Sequence, residues 1–118
     1  MKDRDIYGHC RLFSKEAVRA LSSLKVGYLH RPITLQLLRS ATSVAANMME
    51  VSESVSKKDF INKLGIALKE AKESIHWIEL LVEYYENKDL LWLSQEAEAL
   101  VKILSTIKRK YLTSEIIG

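Results

Sequence analysis

Glycine and proline are scarce in this chain. Four glycines and one proline among 118 residues amount to about 4%, against roughly 12% in average usage. Sandwiches and barrels built on tight turns are therefore not expected, nor are collagen-like or low-complexity chains. A single cysteine rules out a disulfide framework and any cysteine-rich zinc site, and fits a reducing compartment. No apolar run approaches the 18 residues of a membrane-spanning helix. The stretch from Met1 to Tyr7 alternates charges instead of building the apolar centre of a signal peptide. The expectation is a cytoplasmic protein with no membrane partner.

What is present is ordinary for a folded chain, with 47% hydrophobic and 28% charged residues, too apolar for disorder. A chain of this length buries roughly two-thirds of the surface it exposes when unfolded, which bounds it to one domain over residues 1–118. The formal charge of +3 is unevenly spread. Residues 1–40 carry eight basic and three acidic side chains, a net of +5. Residues 41–100 carry six and eleven, a net of −5, and residues 101–118 carry four and one, a net of +3. Basic ends around an acidic middle suit either an anionic partner or oppositely charged neighbours in an assembly, and equally suit plain solvated helix faces.

Hydrophobic spacing predicts four helices. The first covers about 6–26, with Leu12, Phe13, Ala17, Leu21 and Leu24 at intervals that fall on one face. Gly8 weakens its start, and Gly27 with His30-Arg31-Pro32 ends it, because the residue before proline is steered away from helical dihedrals. The second covers about 32–51, opening on Pro32, with a core stripe of Leu37, Leu38, Ala41, Val44, Ala45 and Met48. Ser56-Lys57-Lys58-Asp59 reads as a capping box that opens the third, about 57–85. Its stripe is Phe60, Leu64, Ala67, Leu68, Ala71, Ile75, Ile78 and Val82. Asn87-Lys88-Asp89 forms a turn, with Asp89 the expected cap of a fourth helix over about 89–112. That helix carries Leu93, Ala97, Leu100, Leu104, Ile107 and Tyr111, closes on the cations Lys108-Arg109-Lys110, and leaves 113–118 as a tail. Connections this short between long helices favour antiparallel neighbours. The expected fold class is all-α, an antiparallel up-down-up-down four-helix bundle.

Two surfaces are out of keeping with a solitary bundle. On the second helix Arg39, Ser43, Ala46, Asn47 and Glu50 line up opposite the core stripe, mostly short or polar groups that admit another backbone closely. On the third, Ile66, Trp77, Leu80 and Tyr84 fall together at 100° per residue, with Glu70 and Glu73 among them. A bundle helix needs one apolar face, and two imply burial on two sides. Either the fourth helix wraps unusually far round, or a second subunit covers this surface. The subunit reading makes Arg39, Ser43, Asn47, Glu50, Ile66, Trp77, Leu80 and Tyr84 the candidate oligomer interface.

Candidate chemistry is thin. Glu73-x-x-His76 resembles half of a carboxylate-bridged di-iron site, but such a site takes two such pairs and a glutamate from each of two other helices. His9 and His30 are the remaining histidines, near the chain start and in a loop, so no metal and no cofactor are expected. Cys10 follows His9, yet neighbours in sequence do not face each other on a helix, and no third group orients the pair for nucleophilic catalysis. Gly8, Gly27, Gly65 and Gly118 are isolated, which leaves no phosphate-binding loop. An enzyme is not expected. The basic residues are the better lead. Arg11, Lys15 and Arg19 recur every four residues on the first helix. In an up-down bundle Arg4 and Arg11 would approach Lys108, Arg109 and Lys110, and a ring would repeat the patch into a cationic band. Phosphate contacts of this kind bind RNA or DNA with steep salt dependence and little sequence preference. Tyr7 and Tyr111 are the aromatics near the patch. Solvated or intersubunit charges remain the alternative reading.

The segment Leu38-Arg39-Ser40-Ala41-Thr42-Ser43-Val44-Ala45-Ala46-Asn47-Met48-Met49-Glu50, then Ser56-Lys57-Lys58-Asp59-Phe60, then Leu64-Gly65-Ile66-Ala67-Leu68-Lys69-Glu70-Ala71-Lys72-Glu73-Ser74, Trp77 and Leu80-Leu81 resembles the four-helix-bundle proteins encoded in intervening sequences of bacterial 23S ribosomal RNA genes. The resemblance covers about residues 10–112. Its most specific part is the Arg-Ser-x-x-Ser-x-x-x-Asn-x-x-Glu helix followed by the Ser-Lys-Lys-Asp-Phe cap; Met48-Met49 departs from the more usual aliphatic and Ala pair, and the first helix is less typical. It implies an antiparallel bundle assembled into a ring-like homo-oligomer, usually a pentamer, with no established enzymatic activity and with RNA or DNA as the suspected partner. It also implies a likeness to the accessory variability proteins of diversity-generating retroelements, in which a basic ring partners a reverse transcriptase. An adaptor or accessory subunit is thus the alternative to a nucleic-acid-binding ring.

Overall fold

On α1, Ile6, Cys10, Phe13, Ala17 and Ala20 recur at alternating steps of four and three and are all buried. That spacing keeps one narrow stripe toward the bundle axis, and it sets the pattern for the molecule. In the computed structural model, which describes residues 3–117 and side chains from residue 5 to residue 113, four helices follow one another: α1 (Asp3–Ser23), α2 (Arg31–Ser52), α3 (Lys57–Tyr84) and α4 (Lys88–Ile117). No strand occurs among the described residues. α1 packs on α2 and α4, and α3 packs on the same two helices. The diagonal pairs do not pack on each other among the described residues. The result is a rod of 52 × 22 × 20 Å with a radius of gyration of 15.1 Å, against about 13.5 Å for a rounded chain of this length.

The core is Leu, Ala, Ile and Val from all four helices, with Phe13 the largest fully buried side chain. Each fully buried Leu or Ile contributes about 1.5–3 kcal/mol. α3 supplies Ile61, Leu64, Ala67, Leu68, Ala71, Ile78 and Leu81, and α4 supplies Leu90, Leu93, Ala97, Leu100 and Leu104. Small residues mark the crossings. Ser14 Oγ donates to the Ala41 carbonyl at 2.6 Å and accepts from the Ala45 amide at 3.3 Å, so α1 and α2 approach closely. Ser40 Oγ and Ser74 Oγ lie 2.9 Å apart between α2 and α3, each also in reach of a carbonyl of its own helix. These buried hydroxyls are satisfied and carry no desolvation penalty for an orphaned group.

The helix ends have local causes. Ser56 Oγ accepts from the Asp59 amide at 3.0 Å and so caps α3, while Asp59 Oδ2 reaches back past the N-cap residue to the Val55 amide at 3.2 Å, one residue before the amide that a capping box uses. α1 closes at Ser23, short of residue 26, and it runs from Asp3 straight through Gly8. The following turn is held instead by Tyr85. Its hydroxyl accepts from the Gly27 amide at 3.1 Å and lies 2.6 Å from His30 Nδ1, so bonds to α3's C-terminal cap take over from helical ones. Asn87, not Asp89, caps α4: its Oδ1 accepts from the Leu90 amide at 3.0 Å, and its carbonyl accepts from the Leu91 amide at 3.2 Å. Asp89 is in the first turn, where an acid still suits the helix dipole. α4 continues to Ile117 rather than ending at 112. Lys108, Arg109 and Lys110 are therefore within the helix, two turns before its end, and do not serve the dipole there.

Three core assignments change. Leu12 is 46% exposed because it stands 100° round from Phe13, the residue that does point inward. Val82 is exposed and Leu81 takes its place, and Ile61 takes the inward position next to Phe60. All three shifts are one-residue errors of phase, which a 3.6-residue period with apolar residues on both sides of the stripe permits.

Candidate oligomer interface and basic surface

The outer edge of α2 and the second stripe of α3 lie side by side. Arg39 projects from α2 between two carboxylates of α3, with Nη1 3.1 Å from Glu70 Oε2 and Nη2 in a close ion pair with Glu73. Glu73 Oε2 also accepts from Trp77 Nε1 at 2.9 Å. One guanidinium, two carboxylates and an indole thus form a single polar chain across the α2–α3 seam. Planar guanidinium groups serve two acceptors at once in a way lysine does not. Along α2 the row continues through Ser43, whose hydroxyl donates to the Arg39 carbonyl, and Asn47, whose amide donates to the Ser43 carbonyl. Both side chains are folded back on their own helix, which keeps this edge low. Glu50 is exposed at its end.

The apolar members of the candidate interface separate into two kinds. Ile66 is 50% and Tyr84 64% exposed. Trp77 and Leu80 are half-buried, and Trp77 also rests against the core of its own chain. Tyr84 faces His30 at a ring-centroid distance of 4.7 Å. The polar chain through Arg39 is thus flanked by outward-facing apolar groups, Ile66 one turn before Glu70 and Tyr84 near the other end of the stripe.

One of the candidate cations is already engaged. Arg19 is held by Glu16 on its own helix and by Asp89 of α4 at 3.2 Å, because the four-residue repeat drifts about 40° per step and carries Arg19 round toward α4. Arg11 and Lys15 are exposed. On α4, Arg109 and Lys110 are exposed, and Lys108 is half-buried with its ammonium 3.1 Å from where a Gly65 side-chain carbon would stand. Among the described residues, no carboxylate lies within ion-pair distance of Arg11, Lys15, Lys108, Arg109 or Lys110. The Arg4 side chain lies outside the described residues. His9 Nε2 meets Glu96 of α4 at 3.5 Å.

Other candidate chemistry is placed as follows. Glu73 is taken up by Arg39 and Trp77, and His76 is exposed beside the Trp77 ring. No group of three or more His, Cys, Asp or Glu side chains among the described residues could hold a metal ion. Cys10 is fully buried, and burial pushes its thiol up to about 12. No helix among the described residues is long and apolar enough to cross a membrane.

An all-α protein of four packed helices, with a latched α2–α3 edge and exposed cations on α1 and α4, is the class that fold and surface define. The chain belongs to the 23S rRNA-intervening sequence protein family, whose model matches residues 2–106. A crystal structure of a protein with unknown function from the S23 ribosomal protein family of Bacteroides thetaiotaomicron is similar: 33% identity, 92% of this chain and 99% of that one covered, and a TM-score of 0.78. No curated protein matches.

Proposed function

We propose that the chain is a non-enzymatic up-down-up-down bundle that assembles with copies of itself through the α2–α3 edge, and that the assembly presents cations to RNA or DNA with little regard for sequence. The up-down path is supported by contact register. His9 meets Glu96 while Arg19 meets Asp89, and Phe60 meets Tyr111 while Lys108 lies over Gly65. In each pair, residue numbers rise on one helix as they fall on the other. Assembly rests on one observation above all, the exposed Ile66 and Tyr84 on either side of the Arg39–Glu70–Glu73–Trp77 chain. A low polar edge with apolar groups beside it is suited to a second copy. A closed ring of five follows from the family resemblance.

The nucleic-acid reading is supported by Arg11, Lys15, Lys108, Arg109 and Lys110, which have no carboxylate partner among the described residues and which a ring would repeat. Arg19 drops out of the set because Glu16 and Asp89 already neutralise it. Labelled structured RNA titrated across a salt series tests this. Affinity should fall steeply with salt, and changing Arg11, Lys15, Lys108 and Arg109 to Glu should abolish it. Binding that is undetectable at low salt, or indifferent to those charges, removes the reading.

A further inference from the structure

Three aromatic rings from three helices gather at one end of the bundle. Phe60 near the start of α3 and Tyr111 on α4 pack at a centroid distance of 4.5 Å, tilted by 42°. Together with Tyr7 of α1 they line an open groove of about 440 Å3, closed on its far side by the α2–α3 connection. All three rings are only half-buried. Val55 stands 91% exposed on the rim, and Lys57 is beside it. Ser54, also on the groove wall, has a hydroxyl shielded from solvent with no hydrogen-bond partner among the described residues. A buried hydroxyl without a partner is unusual. A rotation of the side chain that aims it into the groove would sacrifice no hydrogen bond of the hydroxyl.

Cations lead away from the groove along two helices. Arg11 follows Tyr7 by one helical turn and Lys15 follows by two, both exposed. Lys108 precedes Tyr111 by one turn, and Gly65 leaves the space over α3 in which its ammonium lies. Asp59, just past the connection, is already engaged by Lys63 at 3.0 Å and by the Val55 amide, and the exposed Glu53 within the connection does not line the groove.

We infer that this groove takes an unpaired base of single-stranded RNA or DNA, laid against the Tyr111 and Phe60 rings. The strand's phosphates then reach Arg11 and Lys15 along α1 and Lys108 along α4. The inference rests on the nucleic-acid reading above and specifies the form of ligand. Aromatic faces beside unpaired cations are the combination that holds single strands, because every base offers a π-face and every nucleotide a charge. A duplex keeps its base faces stacked and could use only the cations. An acidic peptide would likewise leave the ring faces unused.

Fluorescence anisotropy with labelled oligouridylate, oligothymidylate and a duplex, each about 12 nucleotides and so within the usual single-strand site sizes, tests the assignment. Both single strands should bind more tightly than the duplex. Tyr111→Ala should weaken single-strand binding about tenfold or more without changing the salt slope, since a stacking contact releases no counterions. Tyr111→Phe should retain binding. Val55→Glu, at an exposed site that cannot disturb the core, should weaken it as well and guards against a folding defect in Tyr111→Ala. Duplex preference overturns the inference. So does wild-type single-strand affinity in Tyr111→Ala and Val55→Glu while Arg11→Glu and Lys15→Glu abolish binding, a result that leaves the broader reading standing. A wild-type protein that binds neither strand form at low salt removes both.

Discussion

Trp77 Nε1 donates to Glu73 Oε2 across one turn of α3, at 2.9 Å, and the same oxygen is paired with Arg39 of α2. An aromatic side chain that looks like free apolar surface in the sequence is therefore partly committed within its own chain. Its indole lies against the core and its nitrogen is fixed by a carboxylate that a second helix also holds.

This division of labour separates Ile66 from Trp77. Ile66→Glu should split the assembly and leave helicity and melting of the protomer almost unchanged, since half of that side chain is already in solvent. Trp77→Glu should also split it but lower protomer stability, because it sets a third carboxylate beside Glu73 and removes core contact. Sedimentation velocity with far-ultraviolet circular dichroism reads both effects. A wild-type protein that sediments as a monomer at micromolar concentration would remove the α2–α3 edge as an interface.

Core substitutions should behave differently. Leu64→Ala, at a fully buried site, should cost about 2–5 kcal/mol in urea unfolding without changing the oligomer seen under native conditions. Leu68→Asp would place an unpaired charge in the bundle and should prevent folding altogether.

Ser56→Ala should cost about 1 kcal/mol, the usual loss on removing an N-cap, by opening the start of α3. The pH dependence of that end follows from Asp59. The Lys63 side chain, and after it the Val55 amide, hold the Asp59 carboxyl below the ordinary carboxylate value. Its contribution is present above the unfolded-state value and is lost as pH falls through the lower folded one. Asp59→Asn should flatten that part of the acid-unfolding profile, measured by chemical denaturation between about pH 5 and 2.

Cys10 should be inert in the folded protein. With its thiol pushed up to about 12 from its ordinary value of 9.0 by burial, it carries no nucleophilic thiolate at neutral pH. A disulfide exchange reagent at pH 8 should react only after denaturant is added. The group stabilises the fold below about 9, where it is protonated in both states. That contribution is lost as pH rises toward 12, because only the unfolded chain ionises in between. Fast labelling of the native protein would show that α1 opens on its own.

Much of this was legible because the signals are local. Ser56 and Asp59 announce a capping box at a fixed spacing; the Ser56 bond is present, and the Asp59 carboxylate reaches back one residue further, to Val55. The polar edge of α2 and the second stripe of α3 were each readable from periodicity, but not that Arg39 joins them. That pairing depends on which turns of two helices face each other, a quantity that neither helix encodes alone. Arg19 illustrates the opposite case. It keeps the four-residue spacing of Arg11 and Lys15 but is drawn into a pair with Asp89, 70 positions away. Ser14, Ser40 and Ser74 occupy core phases, and a serine flanked by core positions was the available signal for close helix crossings.

Composition and spacing by themselves determined that this chain is helical, that α3 begins at Ser56, and that α3 carries apolar material on two flanks, because these follow from backbone chemistry and a 3.6-residue period. Tertiary structure alone decided which residue of each adjacent apolar pair points inward, that Arg39 latches α2 to α3, and that Tyr7, Phe60 and Tyr111 share one groove. Those outcomes depend on how far helices slide and turn against one another as they pack, and that fit is set by side-chain volumes from all four at once.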